Sequence, residues 1–385
     1  MKKNCLFLLV TLAISCTCGV VAPAPEETHD AIEEQLSQMT LREKVGQLFC
    51  VRPEAFDVAL KWDSYEDLAL NALQEVTPQM EKVNAEYPVG GIILFAHNIK
   101  DPVQLDSLVR KLKAFNGEPL LYVDEEGGRV ARIANNPAFK VEKFKSMGAI
   151  GKTGNAREAY RCGHTIGTYL KGYGFDVDLA PVADVNTNPN NPVIGTRAFS
   201  PDPAVAAQMV AAYVKGLNDA GILGCLKHFP GHGDTRTDTH FGYAQTRKTW
   251  EEMLACEMLP FKSGIAARVP LVMTAHIAAP AVTGNNVPAT LSPVMLQEKL
   301  RGELKYNGAI ITDGMAMGAI TRQYKPGKAA VLSLQAGADI ILGPKDFIEA
   351  FDAVMQAVQV DSTITEARID ESVRRVLELK AMARP

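Results

Sequence analysis

The chain has 385 residues, 47% hydrophobic and 22% charged, with a formal net charge of −4. This is globular composition, enough for one barrel-sized core or two smaller ones, and it excludes a disordered or fibrous chain. No basic cluster is present, which excludes nucleic acid as the main partner.

In chain order, Lys2 and Lys3 precede an apolar run from Cys5 to Ser15 that is too short to span a membrane. Residues 1–18 therefore read as an export signal. Two cleavage readings stand. Ala13-Ile14-Ser15-Cys16 is lipobox-like, with Ala13 where Leu is usual, and makes Cys16 a lipid anchor. Ala22-Pro23-Ala24 is the competing site. The lipoprotein reading is preferred, which implies a periplasmic or membrane-anchored protein of a bacterium. Residues 19–30, rich in Pro and Glu, are then a linker, and 31–385 a single domain. Beyond the signal, Cys50, Cys162, Cys225 and Cys256 have no CxxC spacing and read as core thiols, with a disulfide left open.

Thr40-Leu41-Arg42-Glu43 is a capping box that opens a helix. Eight short apolar runs follow: Val45–Val51, Gly91–Phe95, Leu120–Asp124, Val177–Val182, Leu223–His228, Leu271–His276, Ala309–Asp313 and Asp339–Leu342. Helical patterns separate them at Leu105–Phe115, Ala156–Lys171, Pro203–Asp219, Trp250–Ala267, Pro293–Leu304 and Lys328–Ala336, and a closing helix runs from Ile364 to about Met382. Strands with no polar face, alternating with helices, predict an α/β (β/α)8 TIM barrel as a single catalytic domain. An open doubly wound sheet is the alternative, but the chain has no G-x-G-x-x-G turn. The longest connection, Arg52 to Pro88, reads as a lid or as peripheral decoration.

In such a barrel, chemistry sits at the C-terminal ends of the strands. Those ends read Asp124-Glu125-Glu126-Gly127-Gly128-Arg129-Val130-Ala131-Arg132, then Asp184 leading to Arg197, then Lys227-His228, Ala275-His276 and Thr312-Asp313-Gly314. Convergent carboxylates, cations and histidines suit a polyhydroxylated ligand, because each desolvated hydroxyl needs a partner. The densest stretch runs from Lys227 to His240 and holds His228, His232, Asp234, Asp238 and His240.

Lys-His-Phe-Pro-Gly-His-Gly followed by Asp-Thr-His, with Asp-Glu-Glu-Gly-Gly-Arg-Val upstream and Ile-Thr-Asp-Gly-Met-Ala-Met downstream, resembles glycoside hydrolase family 3. Within it, the β-N-acetylglucosaminidase branch is the nearer likeness, and the resemblance runs from about Thr40 to Ala383. It implies retaining hydrolysis of terminal β-linked N-acetylglucosamine, from peptidoglycan fragments or chitin-type oligosaccharides, with no cofactor and no metal. It implies Asp313 as nucleophile, His240 as acid and base with Asp238 orienting it, and Asp124, Arg132, Arg197, Lys227 and His228 on the hydroxyls of the sugar. A histidine can perform that proton transfer, since its reference pKa lies near 6.5, and a carboxylate on its second nitrogen fixes the tautomer.

Three rivals remain. A β-glucosidase or β-xylosidase of the same family usually draws its acid from a second domain. A metallohydrolase would use the histidines and aspartates of the 227–240 loop as ligands. A glycan-binding surface lipoprotein would bind without turnover. Phosphate in place of water as acceptor is also open. His232 reads as structural, Met315 and Met317 as pocket wall, Arg129 as surface, and His276 as either lining or packing. Gly231 and Gly233 read as points where the loop turns and swings.

Overall fold

The computed structural model describes residues 26–60, 62, 65–235 and 244–384. The expected signal peptide, Cys16, Asp238 and His240 lie outside the described residues. Among the described residues, no helix is long and apolar enough to cross a membrane.

Eight parallel strands form one sheet: β1 (Phe49–Val51), β2 (Gly91–Leu94), β3 (Leu120–Val123), β4 (Val177–Asp178), β5 (Leu223–Phe229), β6 (Leu271–Thr274), β7 (Ala309–Ile311) and β8 (Ile341–Leu342). Each pairs with the next in chain order, β8 pairs with β1, and a parallel bridge from Ile311 to Ile340 closes the ring. The expected (β/α)8 barrel is therefore the fold. Every residue of these strands is buried, as both faces of a barrel wall require.

The wall separates two cores. Inside, alternate residues such as Cys50, Ile93, Leu179, Cys225, Met273 and Ile311 fill the barrel, and Val376, Leu379 and Ala383 of the closing helix (Glu366–Ala383) cover one end. Outside, Val51, Leu94, Leu121, Leu226 and Ile310 pack against the surrounding helices. The four core cysteines are unpaired; Cys50, Cys162 and Cys225 are buried and Cys256 half-buried.

Most boundaries follow the sequence, and the departures have local causes. The capping box at Thr40 is formed, and the helix it starts runs to Gln47. The first strand is therefore Phe49–Val51 and not Val45–Val51. The expected helix Trp250–Ala267 splits into Trp250–Ala255 and Met258–Ala266. A helix at Phe347–Gln359 was not expected, although Asp346 caps it and Phe347, Phe351 and Val354 form its buried stripe. Residues 26–30 of the expected linker belong to the helix Glu26–Gln38, whose Glu33 ion-pairs with Arg374 of the closing helix.

The Arg52–Pro88 connection holds Pro53–Phe56, Tyr65–Leu70 and Pro78–Glu86 as short helices. It is tied to the barrel. Glu54 accepts from Asn98 Nδ2 at 2.6 Å and from the Leu73 amide at 3.0 Å. Lys345, after β8, bonds the Trp62 carbonyl.

Candidate active site

The C-terminal mouth of the barrel opens into a cavity of about 320 Å³. Asp124, Arg132, Arg197, Lys227, His228 and Asp313 all line it, so the structure gathers every expected site residue that it describes. They come from different strand ends, which explains how positions up to 189 residues apart in numbering, from Asp124 to Asp313, share one pocket.

The wall built from β3, the β4 loop and β5 is a network of charges. Lys227 Nζ lies 2.8 Å from Asp124 Oδ1 and 2.6 Å from Glu126 Oε1. Arg197 grips Glu126 with two bonds, Nε to Oε2 at 2.8 Å and Nη2 to Oε1 at 2.7 Å. Arg132 reaches Asp124 Oδ2 at 3.2 Å. Burial alone would neutralise these groups, and the pairing reverses that. Burial raises the Asp124 and Glu126 carboxyls, but Lys227 and Arg132 bring Asp124 below its usual range, and Arg197 with Lys227 holds Glu126 far below it. Burial lowers Lys227, and Asp124 and Glu126 outweigh it and push the ammonium up. Asp124, Glu126, Arg197 and Lys227 stay charged at neutral pH, as donors and acceptors ready for hydroxyls.

Glu126 was not among the expected site residues. Asp124 and Glu126 line the cavity and Glu125 does not, but all three lie beyond the end of β3 at Val123, so strand alternation does not announce them. Glu125 is fully buried and accepts the amides of Ile133 and Ala134 at 2.9 and 2.8 Å and the Tyr169 hydroxyl at 2.8 Å. It fixes the loop that carries Arg132.

The loop after β5 is held by neighbours from the β4 side. Asp184 Oδ2 receives His228 Nδ1 at 2.8 Å, and Asp184 Oδ1 receives the His232 amide at 2.6 Å. Asn191 Nδ2 donates to the carbonyls of His232 and Thr235 at 2.7 and 3.1 Å, and Asn188 Nδ2 donates to the Thr235 carbonyl at 2.9 Å. The two glycines are sites of close approach. A Cβ on Gly233 would sit 1.8 Å from the Val185 carbonyl oxygen, and Gly231 has φ +122° with Glu257 Cγ 2.6 Å from the added atom. The Lys227–His228 and Phe229–Pro230 bonds are both cis. Described structure stops at Thr235, three residues before Asp238.

His232, expected to be structural, is 1% exposed and also lines the cavity. Its Nδ1 lies 2.6 Å from Thr235 Oγ1. Burial lowers its pKa against the pull of Asp184, so the ring is neutral at pH 7.

Asp313 follows β7, and its Oδ1 accepts the Gly314 amide at 2.7 Å. His276 packs beneath the cavity and does not line it. Its Nε2 donates to the Gly314 carbonyl at 3.0 Å and its Nδ1 meets Thr290 Oγ1 at 2.9 Å, with the ring fully buried. The peptide beside Asp313 is thus held from below. Met317 lines the cavity, as do Arg52 from the end of β1 and Phe95 from the end of β2. Among the described residues, no group of three His, Cys, Asp or Glu side chains is arranged to hold a metal ion.

Residues 40–379 match the glycosyl hydrolase family 3 N terminal domain. Beta-hexosaminidase A of Pseudoalteromonas piscicida is 34% identical over 335 residues, covering 80% of this chain and 56% of that protein. A beta-hexosaminidase of Idiomarina loihiensis is 33% identical over 308 residues, covering 79% of this chain and 89% of the relative. A solved glycoside hydrolase family 3 β-N-acetylglucosaminidase from Paenibacillus sp. FPU-7 superposes with a TM-score of 0.81 at 36% identity. That alignment covers 90% of this chain and 63% of the other. The chain thus spans just over half of the first relative and under two thirds of that structure. Since the match runs from the capping Thr40 to Leu379 of the closing helix, and so across every strand of the barrel, the chain belongs to glycosyl hydrolase family 3.

Proposed function

We propose that this chain is a retaining exo-β-N-acetylglucosaminidase that removes terminal β-linked N-acetylglucosamine from peptidoglycan fragments or chitin-type oligosaccharides. The observation that carries the reading is one cavity that joins Asp313 to the charge-paired wall of Asp124, Glu126, Arg132, Arg197 and Lys227. The wall binds hydroxyls of one terminal sugar, and Asp313 attacks its anomeric carbon. A glycosyl ester forms on Asp313 as the leaving oxygen departs, and water then cleaves it with net retention. His240 protonates the leaving oxygen and later takes the proton from water, with Asp238 holding its second nitrogen. The anchored segment up to Thr235 supports this assignment, because the sequence runs on from it to both residues within five positions. The relatives named beta-hexosaminidase support the choice of aminosugar.

The test is release of 4-nitrophenol from the β-N-acetylglucosaminide and the β-glucoside, each with and without chelator. Chelator-resistant turnover of the aminosugar alone agrees with the reading. Turnover of the glucoside alone rejects it in favour of a β-glucosidase, and loss with chelator rejects it in favour of a metal site.

We also propose export with lipidation at Cys16. Membrane fractionation of the full chain and of Cys16→Ala tests it, since the proposal requires the variant to leave the membrane fraction.

A further inference from the structure

Asp184, in the segment after β4, is 1% exposed and does not line the cavity. Its contacts run to His228 and His232, which do line it. Oδ2 lies 2.8 Å from His228 Nδ1, and Oδ1 lies 2.6 Å from the His232 backbone nitrogen and 3.4 Å from that of His228.

The proton between Asp184 and His228 has one stable place. An ionised carboxylate only accepts, and an imidazole is the stronger base, with a reference pKa near 6.5 against about 3.9 for aspartic acid. Nδ1 therefore carries the hydrogen, and in the neutral ring Nε2 carries the lone pair. The bond also selects one rotation of the ring, whose terminal torsion is otherwise broad. With Nδ1 turned to Asp184, Nε2 is the ring nitrogen left for the cavity.

The charged wall has use for such an atom. Arg132, Arg197 and Lys227 donate and cannot accept. The carboxylate oxygens that face them are already engaged: Asp124 Oδ1 by Lys227, Asp124 Oδ2 by Arg132, Glu126 Oε1 by Lys227 and Arg197, and Glu126 Oε2 by Arg197. A hydroxyl that gives its proton to an uncharged nitrogen keeps its oxygen free to accept from one of these cations.

We propose that Asp184 is a positioning residue, which fixes His228 as the Nδ1–H tautomer so that Nε2 accepts the proton of a hydroxyl on the bound sugar. The sugar rests on the glycosidase reading above, and the tautomer does not.

Asp184→Asn is the informative variant. Its carbonyl oxygen still accepts the His232 amide, and its amide nitrogen then faces His228 Nδ1 and donates to it, which moves the ring hydrogen to Nε2. Nitrogen-15 NMR of the histidine rings at about pH 8, above the reference value for histidine, reads the tautomer, with His228→Phe identifying the signal. The proposal requires Nδ1–H in the wild type and Nε2–H in Asp184→Asn. Nε2–H in the wild type, or the same tautomer in both, overturns it.

Kinetics test whether Asp184 acts through the ring. On 4-nitrophenyl β-N-acetylglucosaminide, Asp184→Asn and His228→Phe should each lose about tenfold or more in kcat/KM, with urea midpoints showing that both are folded. The double variant should lose no more than His228→Phe alone, because the tautomer has no meaning once the ring nitrogens are gone. Losses that multiply would make Asp184 a structural residue and overturn the proposal. If the wild type turns over no aminosugar, the glycosidase reading fails and the spectra alone decide the tautomer. If it turns over and Asp184→Asn matches it, the positioning role fails alone.

Discussion

Two buried lysines sit at opposite ends of the barrel and carry their charge differently. Lys227, at the mouth, has two carboxylates within 2.8 Å, and they push its pKa up against its burial. Lys380, on the closing helix, reaches Gln47 Oε1 and the carbonyl of Gly117, both neutral and both on segments that enter the barrel from its N-terminal end. Burial lowers it to about 7. The same side chain at similar depth is thus a fixed cation in one place and close to neutral in the other. Partners decide this, since burial by itself always opposes the charged form. Lys227 is thus held by carboxylates and Lys380 by uncharged oxygens, while the charge of the far end is carried elsewhere, by buried Asp339 with Arg301 and Arg375.

The strongest way to sharpen that contrast is to act on the chemistry at the mouth alone. Asp313→Ala should cut kcat by about 10⁴-fold or more, because no glycosyl ester can form. The urea midpoint, measured alongside, separates this loss from unfolding. A variant that keeps more than about a hundredth of the activity would remove Asp313 from the nucleophile role.

Breaking the network itself should show in both activity and stability. Lys227→Met strands Asp124 and Glu126, leaving each with a single arginine. Removing one partner of a buried pair costs about 3 kcal/mol, readable by urea unfolding, and turnover should fall with it. Met in place of Lys380 removes no ionic partner, so its cost should be clearly smaller. If the two variants lose equal stability, the contrast between the ends is wrong.

Acid tests the same network without mutation. The folded-state pKa values of Asp124 and Glu126 lie below those of the unfolded chain. The unfolded state therefore binds more protons in acid. The stabilisation is fully present above the unfolded values near 4 and is lost as pH falls through the lower folded ones. Urea midpoints from pH 6 to pH 3 should fall steeply in the wild type and less steeply in Lys227→Met, where the carboxyls have lost the cation that depressed them. Parallel slopes would show that these carboxylates are not what acid attacks.

How far each end was legible follows from the reach of its interactions. The eight strands were visible because a wall buried on both faces demands uninterrupted apolar runs, such as Leu120–Val123 and Leu271–Thr274. Val45 was drawn into the first strand because its apolar side chain fits either structure, and the capping box at Thr40 favoured helix. The helix Phe347–Gln359 had its cap and stripe in plain sequence and was overlooked. The roles of Asp124, Arg132 and Lys227 came from the family resemblance, and the pocket agrees with their positions. Glu126 and Asp184 were another matter. Their partners lie 71 residues away at Arg197 and 44 residues away at His228, and no local pattern announces a pairing that chain topology creates. His276 shows the same limit: packing or lining was decided by the Gly314 carbonyl, 38 residues on.

The smallest expected effect belongs to Lys380, and it is the sharpest test of the far end. Its folded pKa of about 7 lies below the reference value of 10.5. Between those values the unfolded chain holds a proton that the folded one has released. Stability contributed by this group therefore rises with pH across that window, and the penalty for burying the ammonium is felt in full only below about pH 7. Cysteines buried in the core pull the other way above their reference range, because Cys50 and Cys225 are pushed up by burial and stay protonated in the folded chain. The useful interval is thus pH 7 to 8.5. Over it, the wild type should gain about 1 to 2 kcal/mol relative to Lys380→Met, measured as the difference between their unfolding free energies at each pH. The comparison reads a slope, so the lost hydrogen bonds to Gln47 and Gly117 shift the variant's curve without imitating the effect. Parallel curves would mean that Lys380 keeps its proton, and that the far end of the barrel holds a charge which two neutral oxygens suffice to stabilise.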